Sequence, residues 1–146
     1  MSGNIFKRIL VATDGSKNAE KAASYGINIA KITGAEVHTL YVISTQNSMT
    51  TRTVTGWSEA VEEYLENKGK VAIEEVEKMG KEAGVKIESV FLKGIPAEKI
   101  LEYTEENNID LILMGTQGLT GIKRFLIGSV AENVVRHSKI PVMVIR

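Results

Sequence analysis

An α/β architecture, with a parallel sheet held between two helical layers, is predicted by three features of this 146-residue chain. Two almost unbroken apolar runs, Arg8 to Thr13 and Ile109 to Met114, have the length of strands but not the alternation of a half-exposed sheet, the mark of strands covered on both faces. Each is followed by a turn containing glycine and then by a helical pattern. Every connection between successive strand patterns is long enough to hold a helix, which parallel neighbours need. The expected unit is one domain over residues 1–146, with right-handed crossovers.

Taken in order, the first strand ends at Asp14-Gly15-Ser16. Ser16 suits a helix N-cap, and Ala19, Ala22, Ala23, Gly26, Ile27 and Ala30 then share one stripe. Those small residues bring the helix close to the sheet, and Gly34 supplies its C-terminal stop. Val37 to Ile43, rich in β-formers, is the second strand. The polar stretch Ser44 to Trp57 is long for a connection, and such loops are functional or inserted; a flap beside the strand ends and a harmless insertion are equally open readings.

From Ser58 to Ala83, Val61, Leu65, Ala72, Val76, Met79 and Ala83 step at helical spacing. Gly69 weakens the middle of that helix by about 1 kcal/mol relative to alanine and is a candidate bend; Gly84 ends it. Lys86 to Leu92 alternates imperfectly with polar residues, as a strand near a sheet edge does. Pro96 suits the first position of the next helix, whose Ile100, Leu101 and Thr104 face inward before Asn107-Asn108. After the fourth strand, Val130, Ala131, Val134 and Val135 form the apolar face of a last helix, with Arg136 and His137 at its negative end. Val142 to Ile145 follow Pro141 as the fifth strand.

Composition narrows the function. Lys+Arg 18 against Asp+Glu 18 gives formal neutrality, so no basic excess exists to displace counterions from nucleic acid. The absence of cysteine rules out disulfides, thiolate zinc sites and a cysteine nucleophile, and suits a reducing cytoplasm. No apolar run approaches the length of a membrane span, and Met1 to Lys7 has no signal-peptide core. The expectation is a cytoplasmic protein without membrane or nucleic-acid partners.

The informative stretch runs from Gly115 to Ser129 between the fourth strand and the last helix. Strand, glycine loop and helix follow one another as a phosphate cradle requires. Gly115, Gly118 and Gly128 are free to adopt positive φ and turn N–H groups towards an anion, and Ser129 opens a helix whose N-terminus carries about half a positive charge. The structural alternative is equally concrete. Ser129 to Glu132 reads as a capping box, and Gly115 and Gly118 as turn residues.

Ligands in open parallel sheets gather beyond the carboxyl ends of the strands where strand order reverses, so strands one and four, which carry the two best loops, should be neighbours there. The P-loop, Gly-x-Gly-x-x-Gly and Gly-x-Ser-x-Gly patterns are all absent. A phosphorelay receiver is disfavoured, because Asp14 stands alone after the first strand and the third runs into Lys93-Gly94.

The spacing Gly115-x2-Gly118-x9-Gly128-Ser129 resembles the nucleotide loop of the universal stress protein family, in its ATP-binding branch. The resemblance extends over Arg8 to Ser16, Leu40 to Ile43, Gly94 to Pro96, Gly128 to Val134 and Pro141 to Val144. It implies a Rossmann-like three-layer sandwich with a five-stranded parallel sheet in the order 3-2-1-4-5, and a homodimer joined through the last strand. It further implies ATP with Mg2+ or Mn2+. Asp14 would contact ribose or a metal-bound phosphate, with Ala12 and Thr13 lining the pocket. Val42 would meet adenine through its main chain, and Gly115, Gly118, Gly128 and Ser129 would hold the phosphates. Met114, Thr116 and Gln117 would complete the lining; Gln117 stands where relatives often have histidine.

About four hydrogen bonds to charged phosphate at roughly 1.5–3 kcal/mol each are enough for micromolar affinity, about 8 kcal/mol, after ordering costs. Asp14 beside a triphosphate would repel it unless a divalent cation lay between them. Lys123 and Arg124 read as a solvated pair, His38 as packed and Trp57 as an anchor for the long helix. No residue presents itself as a general base. A nucleotide-dependent regulator with little turnover and a protein partner is therefore expected. A phosphoryl-transfer or adenylate-forming enzyme, or a dimeric module without ligand, are the alternatives. The dimer also has an independent argument, because Val142 to Ile145 at an unprotected edge invite pairing.

Overall fold

The computed structural model describes residues 5–45, 59–116 and 127–146. Among them the order is β1 (Arg8–Ala12), α1 (Lys17–Thr33), β2 (Glu36–Ser44), α2 (Glu59–Ala83), β3 (Ile87–Gly94), α3 (Pro96–Glu106), β4 (Leu111–Gly115), α4 (Ser129–His137) and β5 (Val142–Ile145). All strand pairs are parallel and the sheet order is β3-β2-β1-β4-β5. The sequence of alternating elements thus folds into the predicted three-layer sandwich, with β1 and β4 adjacent where the order reverses.

The alternation of side chains along each central strand builds two cores. Ile9, Val11, Leu111 and Leu113 point to one face and pack with Ala22, Ala23 and Ile27 of α1 and Val76 of α2. Leu10, Ile112 and Met114 point to the other and meet Ile100 of α3 and Ala131 and Val134 of α4. β1 and β4 are buried on both sides, which is why their sequences show no alternation. β3, at the edge, keeps only its inward residues partly covered.

Local chemistry fixes the element ends. Ser16 caps α1 by accepting a hydrogen bond from the Ala19 N–H at 3.2 Å, and Gly34, in the left-handed region at φ 81°, closes it. Pro96 opens α3 as expected. Asp110 accepts from the main-chain N–H groups of Lys7 and Arg8 at 2.7 and 2.9 Å, fixing the start of β1 against β4.

Two expectations change. α2 continues through Gly69 without a break, and the glycine is buried. A Cβ there would sit 2.6 Å from the Phe91 ring and 2.7 Å from that of Tyr41, so its loss of helix propensity is offset by close approach to the sheet. Val135, expected to face inward, is 46% exposed, and α4 buries Ala131 and Val134 instead. A helix of nine residues covers the sheet with a narrower stripe than the sequence pattern offers.

Candidate functional site

The carboxyl ends of β1 and β4 meet the N-termini of α1 and α4, and those two helix starts differ. At α1, side chains bind two donors of the preceding turn and one of the first helical turn. Thr13 Oγ1 accepts from the Gly15 N–H at 3.1 Å, Asp14 Oδ1 from the Ser16 N–H at 2.9 Å, and Ser16 Oγ from Ala19. Asp14 therefore closes an Asx turn, and its other oxygen has no hydrogen-bond partner among the described residues. Its negative charge reaches Tyr41, whose hydroxyl is pushed above its ordinary pKa first by burial and then by Asp14.

At α4 no such closure exists. The N-cap is Gly128, with φ −68° and ψ 160°, and no side chain among the described residues caps the helix. The predicted capping box is absent, because Ser129 occupies the first helical position, one residue too late to cap. Glu132 pairs with Arg136 one turn on at 2.8 Å. The first-turn N–H groups that a capping side chain would bind are thus left to other acceptors, which suits an anion.

The glycines act otherwise than predicted. Neither Gly115 nor Gly128 takes positive φ. Gly115 is required by space. A Cβ on it would lie 2.8 Å from Asn18 Cβ, 3.0 Å from the Asn18 carbonyl carbon and 3.1 Å from the Ala19 nitrogen. β4 thereby runs directly against the first turn of α1.

Thr116 joins the pieces. Its N–H donates to the Ile145 carbonyl at 2.9 Å, its carbonyl accepts from the Gly128 N–H at 2.5 Å, and its hydroxyl accepts from Asn18 Nδ2 at 3.3 Å. Asn18 carries no recognisable motif. Only the three-dimensional contact reveals it.

Register sets which way the main chain of Val42 faces. β1 pairs with β2 as far as Ala12 opposite Leu40, and the last bond on that side runs from the Thr13 N–H to the Leu40 carbonyl at 3.0 Å. β2 continues to Ser44 beside β3 alone. Alternation along the strand then directs the amide and carbonyl of Val42 to the side β1 has vacated. Ala12 and Val42 are half-buried and pack on the core beneath α3 and α4, while Met114 is 5% exposed within that core. Met114 therefore offers a ligand its main chain rather than its side chain. Thr13 is buried and Ser129 exposed. Gln117, Gly118, Lys123, Arg124 and Trp57, and the predicted flap beyond Thr45, lie outside the described residues.

His38 is packed, as expected: Nδ1 lies 2.6 Å from the Tyr103 hydroxyl and Nε2 2.9 Å from Glu36 Oε1. That hydrogen bond, together with the charges of His38, Lys86 and Arg8, holds the Glu36 carboxyl below its ordinary pKa against the opposing effect of burial. A shallow cleft of about 410 Å3 lies at this amino end of the strands, among Lys7, Lys31, Gly34, Glu36, Gly84 and Lys86. Its lysines face the carbonyl ends of α1 and α2, whose partial negative charge they offset. Being at the opposite end from the uncapped helix, it takes no part in the candidate site.

No group of three or more potential metal ligands occurs among the described residues, and no helix among them is long and apolar enough to cross a membrane. The universal stress protein family profile matches residues 5–146. Universal stress protein MJ0531 of Methanocaldococcus jannaschii is 42% identical over 143 residues, covering 98% of this chain and 84% of that protein. The solved structure of MJ0577 superposes with a TM-score of 0.82 at 31% identity, covering 97% of this chain and 96% of the other. A universal stress protein solved in complex with cAMP superposes at 0.70 with 25% identity, covering 97% of each chain. With the sheet order and the helix arrangement in agreement, the chain belongs to the universal stress protein family.

Proposed function

We propose that the carboxyl end of the sheet binds an adenine nucleotide, ATP with Mg2+ or Mn2+, and that occupancy regulates a partner rather than driving turnover. The observation that carries this is the contrast between two helix starts side by side. The N-cap of α1, Ser16, binds the first-turn N–H of Ala19 and is itself held by an Asx turn from Asp14, whereas the N-cap of α4 is a glycine with no side chain to do the same. The phosphates would lie at Gly128 and Ser129 with Gly115 and Gly118, and the base against the Val42 main chain. Ala12, Thr13, Met114, Thr116 and Gln117 would complete the surroundings. A relative that binds cAMP supports the choice of nucleotide.

A divalent cation fits this reading only with phosphate oxygens among its ligands. Asp14 supplies one carboxylate, and one of its oxygens is occupied by the Ser16 N–H. Mg2+ is commonly held by one or two carboxylates plus phosphates. The protein would work in the cytoplasm as a homodimer paired along β5, one of the two edges of the sheet.

The test is direct. Acid denaturation of freshly purified protein followed by mass spectrometry should release an adenine nucleotide. Added Mg-ATP at about a hundred times its Kd should contribute about 2.7 kcal/mol, raising Tm by roughly 5–11 °C. Absence of both signals would eliminate the nucleotide reading, and fast steady-state hydrolysis by the purified protein would eliminate the regulatory one.

A further inference from the structure

We propose that Asn18 is a positioning residue for the nucleotide site, acting through Thr116 to set the start of α4. The inference rests on the nucleotide reading above but concerns a residue that no sequence motif singles out. Asn18 lies in the first turn of α1 and donates from Nδ2 to Thr116 Oγ1 at 3.3 Å. The contact exists because β4 ends in a glycine. Any Cβ at position 115 would press on Asn18 at 2.8 Å and on the helix backbone at 3.0 Å.

Neither residue is what local propensity favours. Glycine weakens a strand, and asparagine is a poorer helix former than alanine. One contact accounts for both. Thr116 in turn binds Gly128, the N-cap of α4, through its carbonyl, and Ile145, at the end of β5, through its N–H. Asn18 therefore anchors a residue that is tied on one side to the N-cap of α4, in the proposed pocket, and on the other to the end of β5. With Thr116 held, the Gly128 N–H is committed to the Thr116 carbonyl and the following first-turn N–H groups have a fixed origin and direction. Such preorganisation lowers the ordering cost of binding. Without Asn18 the main-chain bonds of Thr116 remain, so the fold persists while the loop loses its link to α1.

The experiment is a double-mutant cycle on Mg-ATP affinity by titration calorimetry, using the full chain, with Asn18→Ala, Thr116→Val and their combination, and Thr116→Ser as the conservative control. Each single change should weaken binding about three- to tenfold, equivalent to about 0.7–1.4 kcal/mol. The double variant should be no weaker than the weaker single, because both remove one contact. Thr116→Ser, which keeps the hydroxyl that Asn18 binds, should weaken binding less than Thr116→Val does. Asn18→Ala should leave the Tm of the nucleotide-free protein within about 2 °C, which separates positioning from general destabilisation. Wild-type affinity in the single variants, additive losses in the double, or a Thr116→Ser variant as weak as Thr116→Val would each overturn the proposal while leaving the nucleotide reading intact. Failure of the wild type itself to bind Mg-ATP would instead remove the reading on which it rests.

Discussion

Placing a single methyl group at Gly115 tests whether the meeting of β4 and α1 depends on space or on backbone conformation. The added Cβ would start 2.8 Å from Asn18 Cβ and near two backbone atoms of α1, at 3.0 and 3.1 Å. Ordinary contact begins at 3.4 Å, so the helix turn or the strand must retreat by about 0.6 Å. Because two of the three opposing atoms are backbone, no side-chain rotation relieves the clash. Overpacking of this kind costs about 1–3 kcal/mol. In a chain of this length each kcal/mol corresponds to roughly 2–4 °C, so Gly115→Ala should lower Tm by about 2–12 °C. Gly34→Ala is the control. Nothing lies within 4 Å of its Cβ, but φ is +81°, so its cost, about 1–2 kcal/mol, is conformational. Asparagine, which tolerates the left-handed region, should recover part of the loss at position 34 and none at 115. Thermal denaturation of the four variants decides the matter. A Gly115→Ala protein melting within about 1 °C of wild type would refute the spatial argument.

Three further outcomes follow from packing and charge. Thr39 is fully buried and its hydroxyl oxygen has no hydrogen-bond partner among the described residues, so Thr39→Val should raise stability by about 1 kcal/mol in urea titrations, and a loss would mean that the hydroxyl is satisfied after all. The Glu36 carboxyl is held below its ordinary value by its hydrogen bond to His38 and by neighbouring cations; its stabilisation is present above the unfolded-state value near 4.5 and disappears as pH falls through the lower folded-state value. Glu36→Gln should accordingly be less stable than wild type at pH 7, with the gap closing towards pH 3; a gap independent of pH would show that charge is not its origin. For the proposed homodimer, Ile145→Lys at the open β5 edge should sediment as a monomer at micromolar concentration, and sedimentation identical to wild type would reject that interface.

What could be read from the chain beforehand was whatever depends on near neighbours in sequence. The stripe of α1 was legible because the buried set Ala19, Ala22, Ala23, Gly26, Ile27 and Ala30 is a pure helical period. Ser16, Gly34 and Pro96 signalled element ends through their own backbone chemistry. The change from apolar run to glycine to helix, made twice, placed β1 and β4 at the switch point. The features that escaped depend on contacts between distant segments. Gly69 looked like a bend because its propensity is local, while the rings of Tyr41 and Phe91 that require it come from other strands. Asn18 and Thr116 meet only after the sheet has formed. Val135 satisfied the apolar period of α4, but period alone does not reveal how much sheet remains for a short helix to cover.

The start of α4 shows how a shift of one residue carries functional meaning. Serine is a preferred N-cap, so Ser129 reads naturally as one, yet the helix begins at Ser129 and the cap falls on Gly128. At φ −68° and ψ 160° that position accepts any residue, so backbone freedom does not explain the glycine. Capping does not explain it either, since serine, asparagine or aspartate would stabilise the helix more. What glycine provides is access to the first-turn N–H groups, at the cost of a better cap. Gly128→Asp should therefore separate the two quantities. A capping carboxylate at the positive end of α4 is expected to stabilise the nucleotide-free protein by about 0.3–1 kcal/mol, a Tm gain of roughly 1–4 °C. The same carboxylate would occupy the donors and repel phosphate, weakening Mg-ATP binding by about tenfold or more, about 1.4 kcal/mol. Opposite movements of melting temperature and affinity are the signature of a helix end left open for a ligand. If Gly128→Asp bound Mg-ATP as tightly as the parent, the donors of α4 would have no part in holding it.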